Sequence, residues 1–74
     1  MIKVREDILF FAFRYALGRR SAAVSILVDE LKSHWQEFGE HTQDQIKEEI
    51  GDAIQKDQAG DKCDIDHWRE ILSL

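Results

Sequence analysis

Proline is absent from this 74-residue chain and glycine occurs only four times. Nothing therefore forces a helix to break, and the turn chemistry that dominates all-β folds is scarce. A single cysteine, Cys63, excludes an internal disulfide, so packing alone must hold the fold and a reducing cytoplasm is the expected compartment. The longest apolar run, residues 8–13, has six residues. A bilayer span needs about 20, and a signal-peptide core is also longer, so neither a membrane segment nor a targeting segment is expected. With 43% hydrophobic residues the composition favours one small helical domain over residues 1–74. So short a chain buries a modest share of its surface, which calls for regular helix packing or a second copy of itself.

Charge is unevenly distributed. Residues 1–20 carry five basic side chains against Glu6 and Asp7, a net of +3, whereas residues 21–74 carry five basic groups against thirteen acids, a net of −8. A protein that coats duplex DNA ordinarily has the opposite overall sign, because neutralising phosphate supplies most of that affinity. The acids read as solvated helix faces or, more pointedly, as a surface shaped for a basic partner.

Periodicity predicts an all-α bundle of four short helices. The first starts at residue 4 or 5 and ends at 17, with Glu6 and Asp7 at the positive end of its dipole and Arg19 and Arg20 beyond the negative end. From residue 8 to 17 its single charge is Arg14. Ile8, Phe11, Ala12 and Tyr15 form one stripe; Leu9, Phe13, Ala16 and Leu17 form another. A helix apolar on nearly every side is central in its domain or shared with another subunit, which predicts a homodimer through helix 1. Ser21 is placed to cap a second helix over residues 22–38, whose Val24, Leu27, Val28, Leu31, Trp35 and Phe38 keep the helical spacing. Thr42-Gln43-Asp44-Gln45 has the pattern of a capping box opening a third helix over 43–56, with Ile46, Ile50, Ala53 and Ile54 on one face. After a polar connection over 58–62, Asp64 is placed to cap a last helix over 65–72, with Ile65, Trp68, Ile71 and Leu72 inward.

Four groups of residues invite a chemical reading. Gly18-Arg19-Arg20-Ser21 is an ordinary helix–helix turn, or an anion site built from free amides and two guanidiniums. Arg14 would be costly if buried unpaired. It therefore snorkels, meets an acid such as Asp29 or Glu30, or joins Tyr15 and Arg19 in a basic-aromatic patch. Cys63-Asp64-Ile65-Asp66-His67 lacks the paired ligands of a zinc motif, so a cap and a buried thiol account for it and no metal or cofactor is expected. His34-Trp35 and His67-Trp68 echo one another, each followed by a polar residue and a glutamate, and the tryptophans read as packing anchors. Catalysis has no support in the pattern: no nucleophile stands near a base and no glycine-rich phosphate loop is present.

Phe13-Arg14-Tyr15-Ala16-Leu17-Gly18-Arg19-Arg20-Ser21-Ala22-Ala23-Val24, followed by an amphipathic helix, Gly60-Asp61-Lys62-Cys63-Asp64 and a tryptophan-bearing helix, resembles a family of small phage and prophage proteins. The resemblance spans most of the chain and is sharpest over Arg14-Tyr15-Ala16-Leu17-Gly18-Arg19. It implies genomic origin rather than mechanism. Small phage proteins of this kind act in host takeover, in anti-defence (inhibition of CRISPR systems included), or in replication and packaging. The expectation is a non-enzymatic module that binds and modulates a host protein in the host cytoplasm. Its contacts are expected at Arg14, Tyr15, Arg19 and Arg20, with Glu48, Glu49 and Asp52 as an acidic counterpart. Direct nucleic-acid binding through the Arg14/Arg19/Arg20 turn is the alternative, and a phage assembly or structural factor is a third.

Overall fold

The computed structural model describes residues 2–17 and 23–74, with residues 2–6 described as backbone. Four α-helices follow one another, α1 (Ile2–Ala16), α2 (Val24–Ser33), α3 (Glu40–Gln55) and α4 (Lys62–Leu72), with a 3-10 turn at Trp35–Glu37 between α2 and α3. The fold is a small all-α bundle, and no strand occurs among the described residues. α4 packs against both α2 and α3, while α1 lies on α2. One hydrophobic cluster joins them, with Phe13, Val28, Leu31, Ile46, Ile50 and Trp68 fully buried. Phe13 carries α1 into that core, its ring meeting Trp68 edge-on at 5.5 Å between centroids.

The second helix is shorter than its periodicity predicts. At His34 (φ −108°, ψ 11°) the backbone leaves the α conformation. The His34 Nδ1–Glu37 Oε2 contact of 2.7 Å and the His34 Nε2–Glu30 Oε2 contact of 3.6 Å span the break. In a 3-10 turn residues three apart eclipse one another, so Trp35 and Phe38 stack edge-on, 5.9 Å between centroids, and both are buried. Gln43 secures this turn, its Nε2 donating to the carbonyls of Trp35 (2.7 Å) and Phe38 (3.3 Å).

That role displaces the capping box expected at Thr42. α3 starts at Glu40 with Gly39 as its N-cap and no side-chain cap bond, so Thr42 and Gln45 lie inside the helix. The capping box occurs instead at α4, one turn earlier than expected. Asp61 is the N-cap, its side chain accepting from the Asp64 amide at 3.0 Å, while Asp61 N donates to Asp64 Oδ2 at 3.4 Å. Asp64 is thus the third helical residue rather than the cap, which explains a carboxylate only 7% exposed. Just before it, Gly60 adopts φ +90°, and a Cβ there would fall 2.5 Å from Asp64 Oδ2.

α3 ends in a Schellman motif: Gln58 N donates to Ala53 O at 2.7 Å and Asp57 N to Ile54 O at 3.1 Å. The left-handed position that closes it, φ 57°, is filled by Asp57 rather than glycine. The following connection is less polar in practice than in composition, because Ala59 is fully buried. Two further expectations fail at α4. Cys63 is exposed rather than buried, and Leu72 faces outward at 36% exposure while Ile71 fills the core. The earlier start accounts for Cys63: the helix is already formed at Lys62, with Asp64, Trp68 and Ile71 on its buried stripe, so Cys63 falls on the outer side.

Candidate functional site

The described surface of the bundle carries two faces suited to recognition, one apolar and one acidic. The apolar face is the outer stripe of α1. Phe13, Leu9, Ala16 and Leu17 turn toward the core, which leaves Ile8, Phe11 and Tyr15 outside at 62%, 74% and 62% exposure. Ile26 of α2 adds a fourth large apolar side chain, 66% exposed. Between the two helices lies a groove of about 520 Å³, floored by Ala12, Ala16 and Ala23, walled by Phe11, Tyr15 and Ile26, with Glu30 on its rim. Scattered exposed apolar residues are ordinary on a monomer; a contiguous set with a polar rim marks a contact surface.

The acidic face is α3. This helix carries five carboxylates against Lys47. Glu40, Asp44, Glu48 and Asp52 are all exposed, and their four-residue spacing places one carboxylate per turn along a single line. Asp52 is tied to Lys56, Oδ2 to Nζ at 3.1 Å. A shallow depression of about 340 Å³ lies beside the line, lined by His41, Asp44, Gln45, Glu48 and Glu49.

The residues expected to bind a partner divide between these faces. Of the alternatives the sequence left open for Arg14, the structure shows a largely exposed side chain that meets an acid, but the acid is Glu49 rather than Asp29 or Glu30. The Arg14 Nε lies 3.3 Å from Glu49 Oε1, and its guanidinium carbon is 5.7 Å above the Phe10 ring. Arg14 leaves α1 on the flank facing α3; the patch expected of Arg14, Tyr15 and Arg19 includes Arg19, which lies outside the described residues. The Arg14 side chain is 59% exposed, which makes the pair with Glu49 a surface one worth about 0–1 kcal/mol. Glu49 is half-buried, engaged by Arg14 and by Gln45 Nε2 at 3.2 Å, and so belongs to the scaffold more than to the free acidic line. Tyr15 belongs to the apolar groove. Glu48 and Asp52 stay on the exposed line. Gly18, Arg19, Arg20 and Ser21 lie outside the described residues. The N-cap of α2 is Ala23, with no side-chain cap bond, because the helix starts at Val24 rather than at residue 22, so Ser21 does not cap it as expected.

Glu40, Asp44 and Ile26 were missed by sequence reasoning. The first two were readable as acids at four-residue spacing, but the misplaced start of α3 assigned Asp44 to a first turn. Ile26 lies off the inward stripe of α2, and its neighbour on α1 is settled only by packing. The His-Trp echo has a physical content: His34 pairs with Glu37, and His67 Nδ1 lies 3.6 Å from Glu70 Oε2, the same three-residue step. Both tryptophans are buried anchors.

Glu70 also joins α4 to α2 through Lys32 Nζ at 2.8 Å. The hydrogen bond from Lys32, and then its charge, hold the Glu70 carboxyl below the ordinary range. The same bond and charge raise Lys32 above its own. Among the described residues no group of three or more His, Cys, Asp or Glu side chains is arranged to hold a metal ion. No described helix is long and apolar enough to cross a membrane. The chain matches no protein-family model, no curated protein and no solved structure.

Proposed function

We propose that the protein is a small, non-enzymatic, phage-type binding module that acts in the host cytoplasm by docking on a basic surface of a host protein. The observation that supports this reading is the line of exposed carboxylates Glu40, Asp44, Glu48 and Asp52 on α3. Of these only Asp52 has an ion-pair partner, Lys56, among the described residues. A rigid helix bearing like charges at ~6 Å intervals complements a patch evolved for phosphate, since electrostatic complementarity steers encounter and suppresses wrong partners. A host protein that binds nucleic acid is therefore the favoured target, and occupying its basic surface would block it. Direct nucleic-acid binding is the weaker reading, because Arg14 is engaged by Glu49 and α3 would repel phosphate.

Host-lysate capture compares the wild type with Asp44→Asn/Glu48→Gln/Asp52→Asn. These sites are exposed, so the variant keeps its helical circular dichroism. A nucleic-acid-binding protein retained by the wild type and lost by the variant supports the reading. An identical set of captured proteins from both sinks it. So does submicromolar duplex binding with a steep salt slope that Arg19→Ala/Arg20→Ala abolishes.

A further inference from the structure

The apolar stripe of α1 needs an occupant, and the described residues point to a second copy of the chain. Phe11 and Tyr15 are 74% and 62% exposed, Ile8 and Ile26 62% and 66%. A fully buried aromatic side chain removes ~150–250 Å² from water and an isoleucine on the order of 100 Å². Covering these four side chains thus hides about 400 Å² on each chain, or about 800 Å² in a symmetric pair. A specific interface needs about 1,000 Å² in total, a figure reached once the alanines of the groove floor and the stems of the flanking side chains are counted. The shape is also self-complementary. Phe11 projects as a knob, while Ala12, Ala16 and Ala23 leave a hollow beside it, and a two-fold axis sets each knob against the other's hollow.

Charge decides the direction of packing. Asp7 and Arg14 are both exposed and lie seven residues, or two turns, apart on the same flank of the stripe. A parallel two-fold pair sets this flank of one helix against the opposite flank of the other, so Asp7 and Arg14 gain no contact with each other across the interface. An antiparallel pair sets each Asp7 beside the opposite Arg14, which can keep its Glu49 contact because a guanidinium has five donors. Flanking charges choose orientation in helix pairs by this means.

We infer that the exposed face of α1 is a self-association surface on which a second copy packs antiparallel, across a two-fold axis near Phe11, with Asp7 of each chain beside Arg14 of the other. α3 is not part of this contact.

Sedimentation of the full chain across concentrations tests it. The wild type sediments at twice its 8.7 kDa. Phe11→Lys, on an exposed position, gives a monomer with unchanged helicity. Asp7→Asn weakens association several-fold at low salt, and the difference shrinks in 1 M salt; a parallel pair, which makes no Asp7–Arg14 contact, would show no such loss. The acidic-face variant Asp44→Asn/Glu48→Gln/Asp52→Asn stays dimeric, so failure of the host-binding reading and failure of this one are separable. A monomer at every concentration, a dimer insensitive to Phe11→Lys, or unchanged or tighter association of Asp7→Asn overturns the inference.

Discussion

Replacing Gly60 with alanine tests the tightest local constraint in the fold. Two costs arise. The backbone there has φ +90°, a region in which a side chain costs on the order of 1–3 kcal/mol. The new Cβ would also lie 2.5 Å from Asp64 Oδ2 and 3.0 Å from Asp64 Cβ. Asp64 is short and 7% exposed, so its carboxylate can retreat only by releasing the Asp61 amide. Loss of a cap of this kind costs about 0.5–2 kcal/mol. Together the two terms give about 2–4 kcal/mol. Against a total stability of about 4–11 kcal/mol for a chain of this length, that lowers Tm by ~10–25 °C. Thermal melts followed by circular dichroism, supported by urea titration, measure it. A double-mutant cycle isolates the clash: Asp64→Ala alone costs about 1 kcal/mol. In that background Gly60→Ala should cost at least about 1 kcal/mol less than in the wild type, because its collision partner is gone. Additivity within about 0.5 kcal/mol, or a Gly60→Ala effect below that size, would refute the argument from the Asp61–Asp64 box.

Asp57→Gly should stabilise the chain by about 0.5–1 kcal/mol in urea titration, since glycine fits the left-handed position closing α3 at lower cost than aspartate; a loss of stability would refute it. Phe13→Ala, at a fully buried site against Trp68, should cost about 3–5 kcal/mol. Trp68→Phe should cost less than about 2 kcal/mol, because Trp68 Nε1 is buried without a hydrogen-bond partner among the described residues and an unsatisfied donor already carries a penalty of ~1–3 kcal/mol. The Lys32–Glu70 bridge sets a pH window. Glu70 is held below its ordinary 4.5, so its contribution is present above pH 4.5 and fades as pH falls through the lowered folded value. Lys32 is held above its ordinary 10.5, so its contribution is complete below pH 10.5 and fades as pH climbs through the raised folded value. Lys32→Met should flatten both limbs of the stability–pH curve; unchanged limbs would show that the bridge has no thermodynamic weight.

Periodicity alone was enough to identify the helices and most of the core, because a side chain's face on a helix depends on spacing, which is a local quantity. Val24, Val28, Leu31, Ile46, Ile50, Trp68 and Ile71 are buried as their spacing predicts. Helix ends were less legible. Several residues near each terminus can serve as caps, and the choice among Thr42, Gly39, Asp61 and Asp64 depends on which placement also buries Trp35, Phe38 and Trp68. The break at His34 likewise reflects the packing of two aromatic rings rather than any breaker residue in the sequence.

The faces of α1 show the division most clearly. Its sequence carries two apolar stripes and does not rank them, since Leu9–Phe13 and Ile8–Phe11 are equivalent by hydrophobicity. Docking on α2 and on Trp68 of α4 ranks them, turning Phe13 inward and leaving Phe11 and Tyr15 outside. Arg14 followed the same logic: its charge demanded a partner, but the acid that answered was Glu49, 35 positions along the chain. Composition and spacing are properties of neighbours in sequence and so determined elements and inward stripes. Which surfaces remain exposed, and which charges meet, depend on contacts between distant segments, and only their assembly into the bundle could decide them.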